Sequence, residues 1–436
     1  MKGSYVQGKV AFYTLGCKLN FSETSTIGKQ FLSKGYKIVE FNDPADVYVI
    51  NTCSVTEGAE KECRQIVRRA LRKNPLAFIA VTGCYAQLRS EEVASIDGVD
   101  VVLGNNEKMD LFRYTSDFRK NELSCIYVSP SDQLNVLNPA ASTDADSRTR
   151  AFLKIQDGCD YKCTYCTIPL ARGNSRSFDE ESIYSDFSRL VQQGYKEIVL
   201  TGVNIGDYGK RIGSSFYKLL LRLTSLPGDY RIRISSIEPN LLTDDILELT
   251  RESEHMCSHF HVPLQSGSNK ILKLMKRRYL REVYEELCCK IKSTIPDAGI
   301  GVDVIVGFPG ETQDDFEDTY NFIASLPVSY LHVFTYSERP DTPAINMPGS
   351  VDVVERKNRN NRLRHLSEKK RAEFYSAMVN KDLEILFENQ NHDGMMKGFA
   401  SNYVRVELPY DQSLVNSISR VKILSSGREI CTGERV

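Results

Sequence analysis

No run of apolar residues in this chain approaches the ~20 that a membrane-spanning helix needs, so no membrane attachment is expected. An apolar signal core with a small-residue cleavage site is also missing. Met1-Lys2-Gly3-Ser4-Tyr5 runs at once into a strand-like segment, which makes the cytoplasm the expected compartment. Neither sign of charge is in excess, because 56 Lys and Arg meet 57 Asp and Glu for a formal net charge of -1. Any nucleic-acid contact must therefore come from local basic patches and not from a global field. Twelve cysteines in 436 residues are too few for a disulfide scaffold. In a reducing compartment, cysteines at structured spacings point instead to metal binding or redox chemistry. The remainder is ordinary globular composition, 41% hydrophobic and 26% charged. At roughly 150 residues per domain the chain has room for two or three.

Apolar strand-like runs alternate with polar helical stretches over residues 1–128, the pattern of a parallel sheet with crossover helices. The strands are read at Val10–Leu15, Val47–Ile50, Phe78–Val81 and Val99–Leu103, with a helix from Thr56 to Lys73. Residues 129–148 are rich in turn and breaker residues and read as a linker. Residues 149–370 hold six further strand candidates separated by helical stretches: Phe152–Gln156, Glu197–Gly202, Arg231–Ile237, His259–Leu264, Gly301–Val306 and Tyr330–Tyr336. Six βα units make a partial (β/α)6 barrel, which carries its chemistry on the loops after the strands. The segment Arg356–Ala372 is helical and basic, with eight Lys and Arg against one Glu. Residues 371–436 read as short strands at Gly398–Ser401, Tyr403–Leu408 and Ser419–Leu424, a small β-barrel. The fold class is α/β with that barrel appended.

Cys159, Cys163 and Cys166 form a C-x3-C-x2-C triplet directly after the first barrel strand. Three thiolates on one short loop hold three irons of a 4Fe-4S cluster and leave the fourth open to a small chelating ligand. A zinc site would need a fourth Cys or His at fixed spacing, and none lies nearby. Cys17, Cys53 and Cys84 each stand at the end of an apolar run. Alone, each reads as a buried core thiol. Three at equivalent strand ends share one edge of a parallel sheet, where ligands bind, and this points to a second three-cysteine cluster. Cys63, Cys125, Cys257, Cys288, Cys289 and Cys431 read as core or surface fillers. Lys61, Arg64, Arg68 and Arg72 recur at helical spacing as a basic stripe, a solvated face or a phosphate-binding one. Lys276-Arg277-Arg278 and Arg356–Arg371 are two more basic patches. His261, in mid-strand, reads as a core histidine.

The triplet, its place after the first strand and Tyr165 before its last cysteine resemble the radical S-adenosylmethionine (SAM) superfamily. Cys166-Thr-Ile-Pro-Leu-Ala-Arg-Gly173, His261-Val-Pro-Leu-Gln-Ser-Gly-Ser268 and Asp303-Val-Ile-Val-Gly-Phe-Pro-Gly-Glu-Thr312 extend the likeness to its methylthiotransferase family over nearly the whole chain. Thr14-Leu-Gly-Cys-Lys-Leu-Asn20 and Asn51-Thr-Cys-Ser-Val-Thr56 look most like the branch acting on N6-threonylcarbamoyladenosine beside the tRNA anticodon. The isopentenyladenosine branch usually has Gln-Met-Asn where Lys18-Leu19-Asn20 stands, and the branch acting on a ribosomal-protein aspartate differs in the same stretch.

The resemblance implies two 4Fe-4S clusters, at Cys159/Cys163/Cys166 and at Cys17/Cys53/Cys84, with all six cysteines catalytic. SAM on the first cluster would yield a 5′-deoxyadenosyl radical able to attack the inert C2 of adenine. The second cluster would carry the sulfur. The resemblance also implies a C-terminal TRAM domain, an electron donor such as flavodoxin or ferredoxin, and a monomer docking the tRNA anticodon stem-loop. Gly202, Asn204, Glu238, Gln265 and Asp303, on loops after barrel strands, are the candidate SAM contacts, with loop caps as the other reading. Lys61, Arg64, Arg68, Arg72, Arg277, Arg278, Tyr403 and Arg405 are the candidate RNA contacts, Tyr403 and Arg405 on an alternating strand of the small barrel. Tyr403 in that barrel's core is the other reading. A non-catalytic iron-sulfur RNA-binding protein is the rival from another class.

Overall fold

The computed structural model describes residues 7–53, 57–115, 117–134, 140 and 149–436. Most of the expected linker, at 135–139 and 141–148, lies outside them, as do residues 54–56 at the expected start of the second helix. The chain forms two compact units. One holds Met1–Thr143, Phe152–Lys162 and Cys166–Phe178; the other holds Asp144–Ala151, Cys163–Tyr165 and Asp179–Val436.

A six-stranded parallel sheet organises the first unit. Its strands are β1 (Gly8–Thr14), β2 (Tyr36–Val39), β3 (Val47–Thr52), β4 (Phe78–Gly83), β5 (Val101–Leu103) and β6 (Cys125–Tyr127), in the order β2-β1-β3-β4-β5-β6. The central strands β3 and β4 are buried along their whole length, as apolar strands covered on both faces must be. Helix α1 (Lys18–Ser33) follows β1, and α2 (Glu57–Lys73) follows β3. Cys63, Ile66, Val67 and Ala70 of α2 face the core, so Cys63 is a filler, its thiol pushed up to about 12 by burial. α3 (Cys84–Leu88) starts directly at the end of β4. After β7 (Arg150–Lys154), β8 (Gln156–Asp157) and β9 (Arg176–Ser177) pair antiparallel and bracket the loop that carries Cys159, Cys163 and Cys166.

The second unit carries five successive parallel strands of the barrel: β10 (Glu197–Thr201), β11 (Arg231–Ile234), β12 (His259–His261), β13 (Gly299–Val306) and β14 (Tyr330–Thr335). β10 pairs with β11, the parallel bridge Ser236↔His261 carries the register to β12, and β13 joins β12 to β14. On β13, Ile300, Val302, Val304 and Val306 are fully buried while Asp303 and Ile305 are half-buried on the other face, so the polar group lies on the barrel's inner side. The C-terminal strands β15 (Asp382–Phe387), β16 (Met395–Ala400), β17 (Arg405–Pro409), β18 (Ile418–Ser426) and β19 (Cys431–Arg435) close a five-stranded barrel in the order β15-β16-β17-β19-β18. Its core includes Ile385, Phe387, Met396, Val406, Val421, Ile423 and Cys431.

Buried charge docks this barrel within the second unit. Arg231 and Arg233 flank Glu197, at 2.7 and 2.8 Å, with the carboxylate fully buried. Their remaining N–H groups donate to the carbonyls of Phe399, Ala400 and Ser401. Burial would raise the Glu197 carboxyl, but Arg233 and Arg231 hold it far below the usual range, so the carboxylate stays ionised.

Among the described residues, no helix is long and apolar enough to cross a membrane.

Candidate functional site

In the first unit the three cysteines stand at the ends of three adjacent strands. Thr14 pairs with Asn51 and Thr52 with Gly83, so the residues that follow, Cys17, Cys53 and Cys84, emerge on one sheet edge. Gly16 and Gly83 both have φ near +97°, at 96° and 97°. A Cβ on Gly16 would lie 2.7 Å from the Cys53 Sγ, and one on Gly83 would lie 2.3 Å from the Thr52 carbonyl. Only glycine leaves this edge open. Asn20, in the first turn of α1, ties it together: its Nδ2 donates to the carbonyls of Leu15 (2.8 Å) and Thr52 (3.0 Å), and its Oδ1 lies 3.9 Å from the Cys17 Sγ. Burial pushes the Cys84 thiol up, against the pull of Arg172 and Lys108.

Arg172 leads to the second cysteine group. It follows Cys166 by six residues, and its Nη2 donates to Asn20 Oδ1 at 2.7 Å. Its Nη1 donates to Glu23 (3.0 Å) and Asp157 (3.1 Å). Gly173 ends the short helix bearing Arg172, and its carbonyl accepts from the Cys159 N–H at 3.0 Å. Gln156 braces the same turn through Gly158 O (2.6 Å) and Ser175 Oγ (2.9 Å). Gly158 has φ 74°, and a Cβ there would meet the Asn174 carbonyl at 2.1 Å.

Cys163 belongs to the second unit. Arg277 Nη1 donates to its Sγ at 3.1 Å and Nη2 to Glu238, while Tyr279 Oη accepts from Arg277 Nε (3.2 Å) and donates to the Pro263 carbonyl (2.7 Å). Thr164 is pinned by its N–H to Met275 O (3.1 Å) and by its hydroxyl to Leu274 O (2.9 Å). At the ends of the barrel strands, Gly202 is half-buried after β10, and buried Asn204 donates to Asp207 Oδ2 at 2.8 Å. Gln265, at φ 68°, accepts from the Ile305 N–H at 2.9 Å and donates its own N–H to Asp303 O at 2.8 Å. Asp303 Oδ1 lies 2.8 Å from His261 Nε2, and His332 completes a trio whose ligand atoms all lie within 4.8 Å of one another. His261 is thus a half-buried polar partner and not the core residue expected.

Comparison with known proteins places these features in a family. A model of the Radical SAM superfamily matches residues 153–323, and one described as Uncharacterized protein family UPF0004 matches residues 9–104. The threonylcarbamoyladenosine tRNA methylthiotransferase MtaB of Bacillus subtilis is 43% identical over 98% of this chain and 96% of its own length. The protein of that name in Thermotoga maritima is 34% identical, over 98% of each chain. A tRNA-2-methylthio-N(6)-dimethylallyladenosine synthase of Clostridium botulinum is 32% identical, over 99% of this chain and 98% of its own. The chain belongs to the radical SAM methylthiotransferase family. A radical SAM methyltransferase, TsrM, from Kitasatospora setae, solved with tryptophan and a SAM analogue, shares the fold with TM-score 0.57 at 14% identity, over 77% of this chain and 75% of that one.

A radical SAM methylthiotransferase works with a 4Fe-4S cluster and SAM. The donor chemistry fits: Cys159, Cys163 and Cys166 supply three thiols on a glycine-tightened loop, and the other three share a glycine-opened edge. Glu238, one of the candidate SAM contacts, is engaged by Arg277.

The RNA candidates divide. Lys61, Arg64, Arg68 and Arg72 are all exposed on α2, opposite its core face, and Arg278 is exposed. Arg277 is a correction: its side chain is 3% exposed and committed to Cys163 and Glu238. Lys276 takes φ 55° where the helix Asn269–Leu274 ends, and the N–H of Arg277 returns to Leu272 O at 2.9 Å. This Schellman-type turn directs Arg277 inward. Tyr403 is another correction. It lies in the β16–β17 turn at φ 73°, stacks on Phe399 (4.9 Å) and packs against His259 (4.6 Å), with Arg233 over its ring. Arg405 is half-buried, its guanidinium 5.8 Å from the Phe399 ring centre. The Arg356–Arg371 patch is also reduced, because Arg356 and Arg359 are buried and paired with Glu338 and Glu311. Sequence reasoning missed Asn20 and Arg172; Arg172 stands in the quoted Cys166–Gly173 motif, but its partners come from a helix some 150 positions earlier.

Proposed function

We propose that this chain is a tRNA methylthiotransferase that adds sulfur and methyl at C2 of N6-threonylcarbamoyladenosine next to the anticodon. The observation that carries it is the pair of cysteine triples, one on the radical SAM loop and one on a sheet edge. The substrate is assigned because relatives bearing that name reach 43% identity, while one acting on dimethylallyladenosine stands at 32%.

C2 bears an aromatic hydrogen that no side chain can remove as a base, so the reaction needs a radical. A 4Fe-4S cluster and SAM at Cys159, Cys163 and Cys166 supply that radical when bound. The protein's own groups position the reactants. Arg277 fixes Cys163 through its Sγ, and Glu238 and Tyr279 fix Arg277 in turn. Gly202, Asn204 and Gln265 follow strand ends where SAM's polar groups would be held, Asp303 lies within β13 and not on the loop after it, and Glu238 acts beside them through Arg277. Cys17, Cys53 and Cys84 would hold the sulfur-carrying second cluster. Lys61, Arg64, Arg68, Arg72 and Arg278, all exposed, would meet RNA phosphates.

The functional division follows the sequence: a methylthiotransferase domain at 1–128, a linker at 129–148, the radical SAM domain at 149–370 and a TRAM domain at 371–436. We place the enzyme in the cytoplasm as a monomer served by a flavodoxin or ferredoxin.

Anaerobic reconstitution tests the reading. The intact protein is expected to convert SAM to 5′-deoxyadenosine, and a Cys17/Cys53/Cys84→Ala variant to lose about half the iron yet keep that activity. Absence of 5′-deoxyadenosine defeats the radical reading and leaves the non-catalytic rival; unchanged iron in the variant makes those cysteines mere core.

A further inference from the structure

Beneath the Cys17/Cys53/Cys84 edge, in the same compact unit, lies a group of five buried charges. Glu23 of α1 is fully buried and receives Lys108 at 2.6 Å, Lys154 at 3.1 Å and Arg172 at 3.0 Å. Asp157 receives Lys154 at 2.6 Å and Arg172 at 3.1 Å. The three cations are each 1% exposed in their side chains. Two carboxylates therefore face three cations, and Arg176, 14% exposed, adds another at 3.7 Å from Asp157. A surplus buried cation is costly unless an anion stands nearby, because the interior screens it poorly.

The surplus is directed at the cysteine edge. Arg172 reaches past its carboxylates to Asn20 Oδ1, and that oxygen lies 3.9 Å from the Cys17 Sγ. An oxidised 4Fe-4S core, doubly positive, held by three thiolates carries net negative charge, opposite in sign to this surplus.

We propose that Arg172, with Lys108, Lys154, Glu23 and Asp157, forms a built-in counter-charge for the cluster on Cys17, Cys53 and Cys84 and sets its reduction potential. The inference rests on the two-cluster reading above and adds a role for residues distant in sequence from those thiols. Arg172 is a positioning residue here: it acts on the cluster through charge and through Asn20. A buried positive charge favours the more negative, reduced cluster, so removing it must make reduction harder.

The experiment uses full-length protein in which Cys159, Cys163 and Cys166 are replaced by Ala, so that only the other cluster can be reconstituted. Its midpoint potential is read by redox titration followed by electron paramagnetic resonance. Arg172→Gln and Lys108→Gln are each expected to move the potential to more negative values, Glu23→Gln to more positive values, and Arg172→Lys to stay near the parent. Loosened packing would admit water and raise the potential, so a negative shift is not produced by damage. If Arg172→Gln retains no iron, Lys108→Gln supplies the same test. Potentials unmoved, or all moving in one direction, overturn the inference while leaving the cluster in place. A parent that binds no iron overturns the two-cluster reading itself, and the inference with it.

Discussion

Arg172 and Arg277 are the two residues whose surroundings change what the sequence says of them. Both are buried arginines beside a cysteine triple, and each is held by a carboxylate from another part of its unit. Arg277 reads in sequence as the middle of a surface patch, since nothing in Lys276-Arg277-Arg278 announces that Lys276 adopts a left-handed conformation. Tyr403 fails for the same physical reason. A residue at positive φ breaks the alternation from which facing is inferred, and its ring is turned onto His259 instead of outward. That Cys17, Cys53 and Cys84 stand at strand ends is legible, because a strand's end is fixed by where its apolar run stops. We expect Arg277→Met to cost about 3 kcal/mol in denaturant unfolding, the scale for a buried pair deprived of one partner. Adding Glu238→Gln should recover part of that loss by removing the stranded charge. Equal stability of Arg277→Met and the parent would mean the pair is not buried in solution.

The elements that position the chemistry are those the sequence discloses best. β3 and β4 are buried throughout and so appear as unbroken apolar runs, and the barrel strands β10 to β14 lie where such runs were read. β2, β6, β15 and β19 were not read at all. β6 is three exposed residues at the sheet's edge, and β19 closes the small barrel with Cys431 as its one buried residue. Short or edge strands need few apolar residues, so they leave little periodic signal. α2 shows the opposite case: its core face and its stripe of Lys61, Arg64, Arg68 and Arg72 follow the helical period on opposite sides. Replacing those four by Gln is expected to weaken tRNA binding and to flatten its salt dependence by about three in the log–log slope, measured by filter binding across salt concentrations. An unchanged slope would return the stripe to an ordinary solvated face.

At the scale of the whole molecule, the formal charge of -1 conceals how the basic residues are spent. Arg172, Lys108 and Lys154 are consumed inside the first unit, and Arg231, Arg233, Arg356 and Arg359 inside the second. Composition counts them as if they faced solvent, and only the fold separates structural cations from those left for a polyanion. Two of the three basic patches read from sequence shrink on this account, and the α2 stripe stays exposed. The central claim concerns what that surface and the two cysteine triples act upon. It is tested most directly by mass spectrometry of the modified nucleosides in tRNA from a strain lacking this gene. The account predicts that 2-methylthio-N6-threonylcarbamoyladenosine disappears, N6-threonylcarbamoyladenosine accumulates, and a plasmid copy restores the product while its Cys159→Ala variant does not. Unchanged 2-methylthio-N6-threonylcarbamoyladenosine in that strain would contradict it.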